Sequence, residues 1–522
     1  MAELPDADVL VVGGGLGGIA AALGAAASGA RVVLTEESAW LGGQLTTQAT
    51  PPDEHPWIET RGSTELYRSL RRLVRLAYGR PGSTTYNPGR AWVSAISHPP
   101  VVAVAALEAM LAPHLASGRL TVLRSCAPVA VHTSGDRVEG VTVRRGDGED
   151  VHVRAAYVLD ATERGDLLPL GGVEHVVGSE SSEETGEPHA GPVARPDNVQ
   201  AMTVPFALEH RPGEDHVIDR PVDYERWREY RPPGWPARML SWTAPDARTL
   251  APRTFCLELG GGVPHGAGAP ADAPIDLWSY RRVLHPDDGQ AGPEATVVNW
   301  PMNDYVLGHV LGDPQSADHH TAGARALSLS LLYWLQTEAP RPDGGTGYPG
   351  LMPRGDLLGS EDGLALRPYL RESRRIRAEY TITENDVAIE VRGSHGAVRH
   401  ADSVGTGAYR IDLHPSTGGD PFIDIPTYPF EIPLRALLPV RVENLLPAAK
   451  NLGTTHVSNG CYRLHPVEWA IGEAAGRLAS FCLRNATRPR SVGHDPRRLS
   501  EFQDELSASG FDLHWPEGMA AL

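Results

Sequence analysis

Lysine is almost missing from this chain: of its 47 basic residues, 46 are arginine and one, Lys450, is lysine. A GC-rich coding sequence produces such a skew, and a lysine kept against it is a candidate for a chemical requirement. Cysteine is scarce too. Cys126, Cys256, Cys461 and Cys482 are the whole set, none in a CxxC pair, which excludes a disulfide framework and a zinc ribbon and suits a reducing cytoplasm. Positive charge is in deficit, 47 Lys+Arg against 65 Asp+Glu for a net charge of −18, so the clustered cationic surface of a nucleic-acid binder is not expected. Residues 9 to 30 carry no charge, but seven of them are glycine. The flank before them is acidic (Glu3, Asp6, Asp8) where a signal peptide needs positive charge, and no small-residue cleavage pattern stands out. No membrane association is expected, and the expected location is the cytoplasm. What is present is ordinary globular material: 41% apolar and 21% charged residues over 522 positions, enough for three to four units at roughly 150 residues each, or fewer large ones.

The uncharged stretch is the most informative part. DVLVV reads as a strand, GGGLGG as a turn, IAAALGAAASGA as a helix and RVVLT as a second strand ending at Glu36. In that order the residues form a dinucleotide-binding fingerprint. Gly13 permits the tight turn, Gly15 lets a pyrophosphate approach the backbone and Gly18 allows close helix-to-strand packing. The helix opening near Leu16 aims free N–H groups and partial positive charge at the phosphates, and Glu36, 18 residues past Gly18, can accept ribose hydroxyls.

Further along, WLGGQLT carries a glycine pair, Gly42-Gly43, that resembles the second glycine pair of glutathione reductase-type flavoproteins. YVLDATERGDLLPL resembles their second FAD signature, with Asp160, Thr162, Gly165 and Asp166 in its positions. Between them, period-2 strands match the small sheet those proteins insert there. The resemblance implies FAD, with Gln44 and Val129 as further contacts; no His-flanked signature for covalent flavin attachment is recognisable, so the FAD is expected to be noncovalent. It also implies an α/β fold, a Rossmann-like FAD-binding domain with an inserted α+β substrate domain.

Near the other end, VENLLPAAKNLGTTHVSNGCYRLHPVEWAIGEAAGRLAS reads as a strand, a loop and a helix from about Pro466 to Leu478. It resembles the closing segment of fumarate reductase and succinate dehydrogenase flavoproteins, whose helix points its N-terminus at the isoalloxazine. The strings GGQLTTQAT, DATERGDLLPL, GSESSEETGEPHA, NWPMNDY, RPYLRESRRI and DSVGTGAYRIDLHP, with the segment above, identify the chain more closely as a member of a broad bacterial family of FAD-dependent oxidoreductases. At Ala449-Lys450-Asn451 the sequence departs from the usual glycine-acid pair. Lys450 is therefore expected to donate to the flavin N1/O2 region or a phosphate, the alternative being an ordinary exposed lysine; Asn451 is carried with it. His456 and Asn459 match the spacing of the succinate dehydrogenase loop, but Arg463 comes three positions late, which leaves its carboxylate-binding role open.

The expected division is 1–175 and 396–485 for the two parts of the FAD domain, 176–395 for the substrate domain and 486–522 for a helical tail around Leu499, Phe502 and Leu506. The glycine cluster at 257–266 opens no second nucleotide fold for NAD(P)H. Arg371, Arg374 and Arg375 stand at helical spacing, so that Arg371 and either Arg374 or Arg375 can share a face, as a clamp for an anion or, the favoured reading, as scaffolding with Glu372 and Glu379. Glu180, Glu183, Glu184 and Glu187 read as a solvated loop, and His319-His320 as surface. His414 and His456 are the candidate bases, with Arg463 beside them, and Tyr409 and Asn459 are further donors. No metal site is expected. The functional expectation is an FAD-dependent dehydrogenase or oxidase that passes hydride from a small polar molecule to flavin N5, reoxidised by oxygen or another acceptor. The alternatives are a monooxygenase, a fumarate reductase-like reductase, or a non-catalytic FAD-containing subunit or sensor. Homo-oligomerisation is left open.

Overall fold

The computed structural model describes residues 2–3, 6–78, 86–259, 273–286 and 293–522. Residues 260–266 of the glycine cluster lie outside that set. The strand β1 (Ala7–Val12) is apolar along almost its whole length, the pattern of a strand covered on both faces. It leads through the glycine turn into α1 (Leu16–Ala27), then β2 (Val32–Thr35), α2 (Pro100–Ala116) and β3 (Leu120–Leu123). A three-strand meander follows: β4 (Cys126–Ser134), β5 (Arg137–Arg145) and β6 (Asp150–Asp160).

β6 belongs to two neighbourhoods. Its first half pairs antiparallel with β5, Val151 opposite Val143, while its second half runs parallel to β1, Leu159 opposite Val11. The chain then leaves for nearly three hundred residues. Its main features there are a sheet of β7 (Phe206–His210), β8 (Arg282–Leu284), β9 (Ala295–Val298) and β10 (Leu351–Pro353), and the long helix α3 (Pro314–Thr337). That sheet runs β8-β9-β7-β10, antiparallel throughout, with a tryptophan-rich core that includes Trp227, Trp278, Trp300 and Trp334. The chain returns as β11 (Leu445–Pro447), parallel to β6 on its free side, Leu446 opposite Leu159. The parallel sheet is thus β3-β2-β1-β6-β11, assembled from both ends of the sequence.

Helix α4 (His465–Arg484) is buried from His465 to Cys482, six residues longer at its carboxyl end than the sequence pattern predicts. A helix covered all round must pack on several elements. α4 lies on α1 at backbone contact: a Cβ added to Gly472 would stand 2.0 Å from the Gly17 carbonyl oxygen, and one on Gly476 2.1 Å from that of Ala21. The tail forms α5 (Pro496–Ala508), with Phe502 and Leu506 buried.

Two local expectations are corrected. Arg371, Arg374 and Arg375 share no helix face, because residues 371–377 form no helix, only the short strand Arg375–Ile376. Arg371 pairs with Asp304, Arg374 with Asp166, and Arg375 with Glu372 and Glu180. Nor is the acidic run a solvated loop. Glu187 is buried and accepts from the Thr455 hydroxyl and the Glu384 N–H, Glu180 reaches Arg375, and Glu184 closes a capping box with Ser181; Glu183 faces solvent. His319 is exposed, while the ring of its neighbour His320 meets the Tyr305 hydroxyl at 3.0 Å.

Candidate functional site: a dinucleotide cleft and a buried polar cluster

A cleft opens beyond the carboxyl ends of β1, β2 and β6, where open parallel sheets bind their ligands. Gly13, Gly15, Glu36, Gly43, Thr162 and Asp166 line it, together with Cys126 and Pro128 at one end and Thr47 and Gln48 further along. Val204, Val310, Asp318, Arg325 and Leu370 supply the facing wall.

The local chemistry is that of a nucleotide cradle. Gly13 has φ +103°, and a Cβ there would meet the Ala161 carbonyl at 2.2 Å. Gly15 and Gly43 approach so closely that a Cβ on Gly43 would lie 2.9 Å from the Gly15 Cα. The Gly42 N–H donates to the Gly14 carbonyl (2.8 Å), tying the two glycine segments together. Glu36 accepts from the Gly14 N–H (2.7 Å) and from the Ser38 N–H and hydroxyl, and burial pushes its carboxyl up to about 7. The β4–β5 register shifts between Pro128 and Ala130, so Val129 stands in a bulge without a cross-strand partner. Main-chain donors at the head of α1 and a carboxylate at the end of β2 fit a dinucleotide's diphosphate and ribose.

Other predicted contacts stand behind the cleft wall. Gly18 packs under the turn, where a Cβ would lie 1.9 Å from the Gly13 carbonyl. The Asp160 carboxylate accepts from the Thr162 N–H and hydroxyl, and burial pushes it up to about 7. Asn451 donates to the Asp160 carbonyl (3.0 Å) and so joins the end of β6 to the segment after β11. Gly165, at φ +64°, turns the chain so that the Asp166 carboxylate meets Arg164 and Arg374.

Lys450 is not the exposed residue of the alternative reading. It is fully buried and ion-paired with Glu163. Gln44 is buried as well, donating to Glu468 (2.5 Å) and to the Arg463 carbonyl (3.0 Å). Glu468, in the first turn of α4, accepts in addition from the Gly17 N–H of α1 (3.3 Å).

A second cluster lies where the inserted region meets α4. His414, just past the strand Ile411–Leu413, sets Nδ1 2.5 Å from Asp304 Oδ2. Asp304 also meets Arg371 (3.0 Å) and accepts from the Thr203 hydroxyl (2.7 Å). Burial opposes charge on Asp304, but Arg371 and His414 hold it below the usual carboxylate range. His414 Nε2 looks toward Asp412 (3.7 Å), which Arg463 binds at 3.2 Å, while Arg463 donates to the Tyr369 hydroxyl at 2.7 Å. Arg281 pairs with Asp53 (3.3 Å), whose N–H donates to His465 Nδ1 (3.1 Å). The Tyr409 phenol is pushed far up by burial and by Asp53 and Asp412, and it feels both Arg281 and Arg463.

Sequence reading therefore placed His414 and Arg463 in what proves to be one neighbourhood, but missed Asp304, Asp412, Arg281 and Tyr369. Asp304 sits in NWPMNDY, where an acid after a Trp-Pro turn was the available signal. His456 lies apart from His414. Its Nδ1 is 3.0 Å from both oxygens of Glu372, itself paired with Arg375. Burial disfavours the imidazolium, yet Glu372 prevails and raises the His456 pKa.

No curated protein matches the chain. Among solved structures, a geranylgeranyl bacteriochlorophyll reductase-like protein from Thermoplasma acidophilum is similar at 12% identity over 98% of this chain and 85% of that one, with a TM-score of 0.33. L-proline dehydrogenase from P. horikoshii is similar at 18% identity over 34% and 24%, TM-score 0.19. Mycobacterium smegmatis Sdh1 is similar at 13% over 39% and 42%, TM-score 0.26. This chain thus spans about a quarter of the proline dehydrogenase and under half of Sdh1. The model of the FAD dependent oxidoreductase family matches residues 8–506, nearly the whole chain. The protein belongs to that family, an FAD-binding oxidoreductase built on a Rossmann-like fold.

Proposed function

We propose that the protein dehydrogenates a small polar substrate with His414 as the base. The supporting observation is the Asp304–His414 pair. With Asp304 kept ionised by Arg371, the imidazole places its Nδ1 proton on the carboxylate side, and Nε2 carries the lone pair toward Asp412 and Arg463. His456 suits the task less, since it is buried in the Glu372–Arg375 ion network, whereas His414 keeps a partly exposed edge. Bound FAD supplies the hydride acceptor, flavin N5, which oxygen or another acceptor then regenerates.

The chain's own residues bind, orient and deprotonate. Arg281, Arg371 and Arg463 each keep a buried Nε–H without an acceptor, so the substrate is read as offering acceptor oxygens to this cluster. Arg463 and Tyr369 hold it, and His414 Nε2 takes the O–H or N–H proton as the carbon hydride leaves. The test is anaerobic bleaching of the flavin against a panel of hydroxy and amino compounds, with and without carboxylates. Bleaching by a polar member, slowed in His414→Asn, is the expected result; a flavin that no member reduces, or equal rates in the variant, would overturn the reading.

A further inference from the structure

Glu163 stands in an unusual place. Its Oε1 lies 2.6 Å from where a Gly43 Cβ would be and 2.8 Å from where a Gly15 Cβ would be, directly over the glycine cradle. That oxygen is buried and has no hydrogen-bond partner, while Oε2 pairs with Lys450. Glu468 approaches the same point from α4, with Oε1 3.8 Å from the Gly15 Cβ position. Two carboxylates and one ammonium therefore meet at the N-terminus of α1.

The helix terminus contributes about half a unit of positive charge, and Lys450 contributes one. Burial raises the Glu468 pKa, so these charges roughly offset the two carboxylates and leave nothing for a diphosphate, whose phosphates both carry negative charge. A cofactor diphosphate reaching the cradle meets a like charge where it must sit. The two carboxylates differ in freedom. Glu468 is anchored by Gly17 and Gln44, whereas Glu163 lines the cavity and is held on one oxygen. Lys450 is fully buried and already within electrostatic reach of Glu468, so it has a second partner if the first leaves.

We propose that Glu163 is a displaceable anion in the diphosphate cradle, and that it swings out of the cradle when FAD binds and leaves Lys450 to the diphosphate and Glu468. A lysine suits this exchange better than an arginine: a compact point charge turns between acceptors, whereas a guanidinium fork locks onto one carboxylate. The lone lysine of the chain then has a specific task. The proposal concerns cofactor loading and is independent of the substrate.

The test is to dilute FAD-loaded protein and read released flavin by its fluorescence, with ADP binding to the stripped full chain as a second probe that carries the diphosphate without the ring. Glu163→Gln, which keeps shape and removes charge, is expected to hold FAD and ADP at least tenfold more tightly than wild type. Lys450→Met is expected to release FAD at least tenfold more readily, and Glu163→Gln in that background to restore retention. Unchanged or weaker FAD binding in Glu163→Gln would overturn the proposal, as would tightening for FAD but not ADP, or normal retention in Lys450→Met.

Discussion

Gly17 and Gly472 meet backbone to backbone, the carbonyl of one occupying the space of a side chain on the other. The first helix of the nucleotide turn is thereby locked, in its first turn, against the middle of α4. Gly472→Ala is expected to cost about 1–3 kcal/mol in denaturant unfolding, the range for overpacking a tight contact. It is also expected to raise FAD release on dilution, because α1 must shift to accommodate the methyl group. Unfolding and cofactor retention equal to wild type would show that the contact is slack.

His414→Asn and Asp304→Asn are expected to slow anaerobic flavin reduction by roughly 10²–10⁴-fold, the contribution of a positioned base, with FAD content unchanged. Asp304→Asn removes the acceptor that orients the imidazole, so its loss should fall on the rate of reduction more than on apparent substrate affinity. Stopped-flow traces at 450 nm with saturating substrate separate the two.

His456→Asn is expected to act on stability. Removing one member of a buried ion network leaves Glu372 short of a partner, at about 3–5 kcal/mol. Because the folded-state pKa of His456 is raised, its contribution is full below the unfolded value and disappears as pH rises through the folded one. Wild-type protein should thus lose stability from about pH 6.5 upward, and that component should be absent from His456→Asn in thermal melts across the range.

Glu187→Gln tests a buried acid. Burial pushes this carboxyl from 4.5 up to about 7 despite hydrogen bonds from Thr455 and Glu384. The stabilisation belonging to its protonated form is complete below the unfolded pKa and is lost as pH climbs through about 7, to the extent of about 3 kcal/mol. The variant should therefore lose less stability than wild type between pH 5 and pH 8 in calorimetry. Parallel curves would show that Glu187 is ionised without penalty.

The chain's local signals were legible. Gly13, Gly15 and Glu36 lie within a contiguous strand, turn, helix and strand, and hydrophobic period and turn chemistry report such units directly. The meander that feeds β6, the small-residue helix α4 and the tail helix α5 were legible for the same reason. RESRRI misled because arginines spaced at three and four residues mimic a helix face, whereas each guanidinium is claimed by a different distant carboxylate, Asp304, Asp166 or Glu180. The acidic run misled similarly, since Glu187 finds its partners in residues 384 and 455.

The sequence by itself determined that a nucleotide turn is present and that both ends of the chain contribute to its fold, and it offered His414, His456 and Arg463 as candidates for the chemistry. Only the tertiary structure decided that His414 faces Asp304 while His456 is bound to Glu372, and that Lys450 is buried against Glu163. The physical reason lies in range. Backbone preference and hydrophobic period act over a few residues and can be read in order along the chain. The partner of a buried charge is selected by desolvation, and it is whichever opposite charge the completed fold brings within hydrogen-bond distance, however far away it lies in sequence.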